Sequence, residues 1–190
     1  MNENQARVFV ITGPTAVGKG TIRKELFSQL PNLWFSVSAT TRDQRPGEEH
    51  GKDYFFISAA EFDELVANKQ MLEWAVVHKV NRYGTPRQPV LEALDSGKIA
   101  ILELDLAGAR QVRETMPEAT QIFIAPPSWE ELERRLVGRG TETAEEQARR
   151  LETAKLELAA QAEFDFVIIN DTVANATNKL VQIITGTTVE

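Results

Sequence analysis

The sequence predicts an α/β protein: a parallel sheet with helices on both faces, interrupted by an inserted β-rich lobe and a charged helical segment. Three observations predict it. Strand-like and helix-like segments alternate along 190 residues, a length that suits one domain with a real core. Several strand candidates are apolar throughout rather than alternating, as strands covered on both faces are. Finally, two stretches break the alternation, Ser36 to Thr85 and Ser128 to Ala162.

Val8–Thr12 is a short β-branched run that stops at Gly13-Pro14. A helical pattern follows from Thr21 to Leu30, with Ile22, Leu26, Phe27 and Leu30 on one face. Ile99–Leu104 is a second strand, followed by a helix over about Leu106 to Thr115. Gln121–Ala125 is a third, stopped by Pro126-Pro127, and Phe166–Ile169 a fourth, followed by a terminal helix to about Ile184. In the first break, short strands at Tyr54–Ile57 and Met71–His78 flank a helix that opens with a capping box, Ser58 to Glu61. In the second, Ser128 with Glu131 and Thr143 with Glu146 read as further capping boxes, and Gly138 and Gly140 punctuate the two helices. Such a hairpin reads either as a mobile lid or as a solvated surface hairpin.

Composition narrows the function classes. Hydrophobic residues make up 42% and charged residues 26%, the mix of a soluble globular protein. The absence of cysteine excludes disulfides, thiolate metal sites and a thiol nucleophile. No apolar run approaches the roughly 20 residues of a membrane span. Met1–Arg7 lacks the apolar core of a signal peptide. A cytoplasmic location without a membrane partner is therefore expected. A net charge of −7 argues against a nucleic-acid polymer as partner but leaves room for a small phosphorylated ligand.

The sharpest local signal is Gly13-Pro14-Thr15-Ala16-Val17-Gly18-Lys19-Gly20-Thr21. It matches the phosphate-binding pattern G-x-x-x-x-G-K and lies between a strand and a helix, where that loop must lie. Glycines let backbone wrap a phosphate, and the N–H groups opening the helix have no internal partners. Lys19 adds a point charge for the outer phosphates. Gly20 stands where a Ser or Thr normally offers a hydroxyl to Mg²⁺. Either Thr21 substitutes, or phosphates and water hold the metal. A glycine turn that merely caps a helix is the bland alternative, disfavoured by context. The loop alone implies triphosphate binding and no particular reaction.

Further motifs are Ser36-Val37-Ser38-Ala39-Thr40-Thr41-Arg42-Asp43-Gln44-Arg45-Pro46-Gly47-Glu48, Gly51-Lys52-Asp53-Tyr54-Phe55-Phe56, Leu72-Glu73-Trp74-Ala75 and Tyr83-Gly84-Thr85. With Ala125-Pro126-Pro127-Ser128 and Arg135-Leu136-Val137-Gly138-Arg139-Gly140-Thr141-Glu142, they closely resemble the guanylate kinase family, in family order from about Val8 to Thr172. The resemblance implies a P-loop core (1–35, 86–125, 163–190), a GMP-binding lobe (36–85) and a lid (126–162) within one domain. It implies Mg²⁺-dependent transfer of the ATP γ-phosphoryl group to GMP, and to dGMP, in purine nucleotide metabolism. ATP and GMP would be the partners, and the oligomeric state stays open between monomer and homodimer.

By the same resemblance, Arg42, Arg45, Tyr54 and Tyr83 would hold the GMP phosphate, and Ser38, Glu73 and Thr85 would read guanine. Taken alone, the arginines read as solvated loop charges, the tyrosines as packing residues and Glu73 as an exposed acid. Arg forks do match phosphate oxygens, and a carboxylate can accept from guanine N1–H and the 2-amino group. Glu103 and Asp105 end the second core strand, and the resemblance puts Glu103, where the family commonly has Asp, near the guanine or the acceptor site and Asp105 near the metal. Asp105 also suits an N-cap. Arg135, Arg139 and Arg150, with Arg149 a weaker candidate, would serve the lid, or else form surface ion pairs with Glu131, Glu142 or Glu146. Asn170 is a weak candidate for the adenine. His50 and His78 read as surface or packing residues, since an anionic phosphate needs no general base. Lys19, Arg42, Arg45, Arg139 and Arg150 would be the catalytic set, with Thr21 and Asp105 toward Mg²⁺. Two alternatives remain: another nucleoside monophosphate kinase, and a non-catalytic guanylate-kinase-like interaction module.

Overall fold

The computed structural model describes residues 7–77, 80–138 and 143–187. In chain order its elements are β1 (Val8–Thr12), α1 (Lys19–Gln29), β2 (Leu33–Phe35), β3 (Ala39–Thr40), β4 (Phe55–Phe56), α2 (Ala59–Ala67), β5 (Met71–Val77) and β6 (Asn81–Pro86). There follow α3 (Arg87–Asp95), β7 (Ile99–Glu103), α4 (Leu106–Thr115), β8 (Thr120–Ala125), α5 (Trp129–Val137), α6 (Ala144–Ala159), β9 (Phe166–Ile169) and α7 (Val173–Thr185). Five strands form one sheet in the order β2-β7-β1-β8-β9, and four form another in the order β4-β3-β6-β5. The chain divides into two compact units: Met1–Val8, Trp34–Leu102 and Ala107–Ala119 in one, and Phe9–Leu33, Glu103–Leu106 and Thr120–Glu190 in the other.

In the second unit, β1 pairs parallel with β8, Phe9 opposite Thr120 through Thr12 opposite Phe123. β8 pairs parallel with β9, Ile122 opposite Phe166 through Ala125 opposite Ile169. All five β1 residues are buried, as the uninterrupted apolar run predicts. Helices α1 and α7 pack together and bury Ile22 and Leu26 from one, Ala176, Leu180 and Ile184 from the other. Of the expected α1 face, Phe27 and Leu30 are only half-buried. β9 departs from the expectation of strands covered on both faces: Phe166, Val167 and Ile169 are 45%, 44% and 48% exposed. It is the last strand of the sheet, so its apolar composition does not translate into burial.

In the first unit, β3 pairs parallel with β4 and antiparallel with β6, and β6 pairs antiparallel with β5. One face of this sheet packs on α2, burying Ala39, Phe62 and Met71 among Phe55, Ile57, Leu65 and Val66. The other face carries Thr40, Tyr83, Ala75, Glu73 and Thr85, by register and by the two-residue alternation of strands. A bulge in β5 makes this division possible. Met71 lies opposite Pro86 and Glu73 opposite Thr85, so Met71 turns to the helix and Glu73 away from it.

Capping boxes form at Ser58 with Glu61 and at Thr143 with Glu146. At Ser128 the box is only half made: the hydroxyl accepts from the Glu131 N–H, but the Glu131 carboxylate bonds Arg134 and Arg135 instead. Charged guanidinium donors outcompete a neutral backbone N–H. α1 begins at Lys19, inside the loop motif rather than at Thr21, with Gly18 as its cap.

Gly84 permits the β5–β6 approach. A side-chain carbon there would lie 2.6 Å from the Glu73 carbonyl oxygen and 2.8 Å from the Trp74 Cβ. Gly84→Ala is expected to destabilise the fold by about 1–3 kcal/mol, because backbone must move to admit the methyl group. Urea unfolding of the variant measures this.

Candidate functional site

The loop after β1 is shaped by close approach. Gly13 has φ 152° and Gly18 φ 101°. A side-chain carbon at Gly13 would run into the Ile124 carbonyl oxygen, and one at Gly18 would lie 2.7 Å from the Asn170 side-chain nitrogen. Gly18, the residue that caps α1, offers no side chain to the N–H groups that open the helix, and it is at such a helix start that backbone N–H groups can turn toward an anion. Lys19 arches back over the loop, its Nζ donating to the carbonyls of Gly13 at 2.5 Å and Pro14 at 3.2 Å. A hollow of about 400 Å³ lies against the loop and is also lined by Arg23, Lys24 and Glu103. Its charges are largely positive: Lys19, Arg23 and Lys24 against one carboxylate, which Arg23 Nη1 meets at 3.2 Å.

A second hollow, about 530 Å³, joins Ala16, Gly18 and Thr21 to Arg134, Arg135 and Asn170. Arg135 Nη1 donates to the Val17 carbonyl at 3.4 Å while its Nε donates to Glu131 at 2.7 Å. It therefore makes the surface ion pair and reaches the loop as well. Asn170 is 2% exposed, and its side-chain nitrogen donates to the Val17 carbonyl at 2.7 Å. Its oxygen is buried without a partner among the described residues, an acceptor left available beside the loop.

Among the described residues, no group of three or more His, Cys, Asp or Glu is placed to hold a metal ion. Thr21 and Asp105 are exposed. Two scattered oxygen donors suit Mg²⁺ that keeps phosphate oxygens and waters, and do not make an all-protein cage. At Gly20 a side-chain carbon would meet nothing within 4 Å, so packing does not demand glycine where a hydroxyl residue is usual. Glu157 on α6 was not singled out by sequence. Burial pushes its carboxyl up, opposed by the charge of Lys19 and helped by that of Asp105.

In the first unit, Glu48, Tyr83 and Tyr54 converge around Arg42. Its Nη1 and Nη2 form a fork on Glu48 at 3.0 and 2.9 Å, and its Nε donates to the Tyr83 hydroxyl at 3.1 Å. The guanidinium also lies 5.4 Å from the Tyr54 ring centre, and the Tyr54 and Tyr83 rings meet edge-on at 5.7 Å. On the same sheet face, the Thr85 hydroxyl donates to the Glu73 carboxylate at 2.7 Å, with Glu73 9% and Thr85 1% exposed. Glu73 is therefore not the exposed acid that its local sequence suggests. Ser38 enters β3, half-exposed, and its carbonyl accepts from the Phe55 N–H at 2.9 Å. Arg45 is exposed, and its backbone N–H donates to Glu48 at 2.8 Å.

The remaining expectations separate. Arg139, Gly140, Thr141, Glu142 and His78 lie outside the described residues. Arg149 and Arg150 are exposed on α6. His50 Nδ1 accepts from the Phe56 N–H at 3.2 Å, a packing role. Sequence reasoning named Glu131 for Arg135 but missed Glu48 as the partner of Arg42 and passed over the Arg23–Glu103 pair. Arg23 was legible, four residues after Lys19 on one helix face. Glu48 and Glu157 gave no periodic signal.

The Arg42 fork, and then the Arg45 N–H, hold the Glu48 carboxyl below the ordinary 4.5. The pair is therefore intact at neutral pH and is lost as pH falls through the depressed folded value. A carboxyl NMR titration should give a Glu48 midpoint below 4.5 in the native chain, returning toward 4.5 in Arg42→Met.

The family model for guanylate kinase matches residues 5–187. Guanylate kinase of Cutibacterium acnes is 57% identical over 177 residues, spanning 93% of this chain and 89% of that protein. Guanylate kinase of Thermobifida fusca is 54% identical over 183 residues, spanning 96% and 93%. The crystal structure of guanylate kinase from Anaplasma phagocytophilum superposes with a TM-score of 0.70 at 32% identity, covering 97% of this chain and 87% of that one. The glycine-shaped loop, the arginine–tyrosine cluster and these matches lead to one conclusion: the chain belongs to the guanylate kinase family.

Proposed function

We propose that the chain is an ATP:GMP phosphotransferase that moves the γ-phosphoryl group of ATP to GMP, giving ADP and GDP. The observation that carries this reading is the buried Glu73–Thr85 pair on the sheet face that also bears Tyr83. A base reader and a phosphate reader thus share one surface, with Thr85 and Tyr83 roughly 7 Å apart along β6. Glu73 accepts from guanine N1–H and the 2-amino group. Adenine offers no such pair of donors, and a buried acceptor left unsatisfied costs about 1–3 kcal/mol. Ser38 completes the base contacts. Arg42, Arg45, Tyr54 and Tyr83 take the GMP phosphate, which competes with Glu48 for the Arg42 fork.

On the donor side, the loop Gly13–Thr21, through backbone N–H groups, and the Lys19 ammonium bind the ATP phosphates. Asn170 and Arg135 border the adenine hollow. Thr21 and Asp105 would be the protein's donors to the Mg²⁺ of Mg-ATP, which when bound would neutralise charge on phosphate oxygens. Glu103, tied to Arg23, keeps a carboxylate at the edge of the loop hollow. A GMP phosphate oxygen attacks in line, already anionic, and the protein's task is positioning and charge stabilisation. Arg139 and Arg150 are assigned to a lid over 126–162, with 1–35, 86–125 and 163–190 as the core and 36–85 as the GMP lobe. Lid closure excludes water and suppresses ATP hydrolysis. No helix of the described residues is long and apolar enough to cross a membrane.

Lys19→Ala is expected to lower kcat by at least about 100-fold, with circular dichroism unchanged. Normal turnover would remove the loop from the mechanism. ATP consumption with GMP, dGMP, AMP, CMP and UMP in parallel should be strong only for the guanine nucleotides and should vanish with EDTA. Equal rates with GMP and AMP would refute guanine reading.

A further inference from the structure

We propose that Gln111 and Thr115 of α4 fix the direction of Glu73, which makes Gln111 a positioning residue for guanine selection. The inference rests on the reading of Glu73 as the guanine acceptor.

β5 is an edge strand, and its bulge between Met71 and Glu73 aims the Glu73 carboxylate. A bulge interrupts the ladder and orphans backbone groups, and at an edge no further strand takes them up. Here α4 takes them up. The Thr115 hydroxyl donates to the Leu72 carbonyl at 2.6 Å. The Gln111 side-chain amide accepts from the Trp74 N–H at 3.1 Å and donates to the Trp74 carbonyl at 3.1 Å. These are the two bonds that a residue of a neighbouring strand would make. Gln111 and Thr115 lie one turn apart on one helix face, so both reach the same edge. Arg87 Nη2 donates to the Thr115 carbonyl at 2.9 Å and ties down the end of α4.

The clasped residues, Leu72 and Trp74, flank Glu73 on both sides. Holding both fixes the Cα–Cβ direction of Glu73, while Thr85 holds the carboxylate at its far end. The alternative register is adverse. Without the bulge, Met71 and Glu73 would share one face, so a register that kept Met71 among its apolar neighbours would turn Glu73 to the α2 face.

Gln111→Met tests this, since it keeps side-chain length and helix propensity and removes both bonds. Gln111→Glu keeps the acceptor and loses the donor. Kinetics with GMP and with inosine monophosphate, which lacks the 2-amino group, are paired with hydrogen exchange of the Trp74 amide. In Gln111→Met, faster Trp74 exchange should accompany a rise in the GMP KM of about tenfold. The preference for GMP over inosine monophosphate should fall toward that of Glu73→Gln, with the ATP KM unchanged and Gln111→Glu between the two. A native preference despite faster exchange overturns the proposal. So does a loss of kcat alike for all acceptors with the preference kept, which marks a merely structural role. If Glu73→Gln itself keeps the native preference, the guanine reading of Glu73 fails, and the positioning role fails with it. If only Gln111→Met keeps it, the positioning role fails alone.

Discussion

Backbone N–H groups at the start of α1, left uncapped by any side chain, are the constraint on which the donor side of this protein depends. To expose them, the chain must leave a buried strand, turn sharply and enter a helix within a few residues. Gly13 and Gly18 allow this, because backbone or amide atoms occupy the space that a side chain would need. The fully buried β1 and its parallel register with β8 hold the loop in place, and the α1–α7 packing holds the helix behind it. The cost of that geometry is carried by the sheet and core, which hold the loop in the shape that the proposed phosphate binding requires.

An acidic chain builds cationic sites by using its own carboxylates as holders. Glu48 grips Arg42 in a fork, Glu103 meets Arg23, and Glu131 bonds Arg134 and Arg135. Each pair restricts a long side chain to one place. The stability gained from such part-exposed pairs is small. Their use is orientation. Arg42 shows this best, with the carboxylate, the Tyr83 hydroxyl and the Tyr54 ring arranged around one guanidinium.

Local signals were read well. The strand–loop–helix unit, the limits of α4, the position of β9 and the capping boxes at Ser58 and Thr143 each follow from spacing within a few residues. Sequence reasoning passed over β6, because Asn81-Arg82-Tyr83-Gly84-Thr85-Pro86 lacks a strand's composition and owes its extended form to β3 and β5 on either side. β9 was expected to be covered and is half-exposed, because apolar composition does not reveal which strand ends a sheet. Glu131 left its capping box for two arginines, a competition that residue spacing alone does not decide.

The sequence by itself determined the strand–glycine loop–helix unit, the alternation that makes the parallel sheet, and the residue types proposed to hold phosphate and guanine. These rest on interactions between near neighbours in the chain, whose geometry is set by helix and strand periodicity. Only the tertiary structure decided that Glu73 is buried and paired with Thr85, that Asn170 turns an unpartnered oxygen beside the loop, and that Gln111 clasps the strand carrying Glu73. Those contacts join residues far apart in sequence, and one bulge in β5 chooses between the two faces of the sheet. Side-chain direction after a bulge depends on register, and register is a property of paired strands.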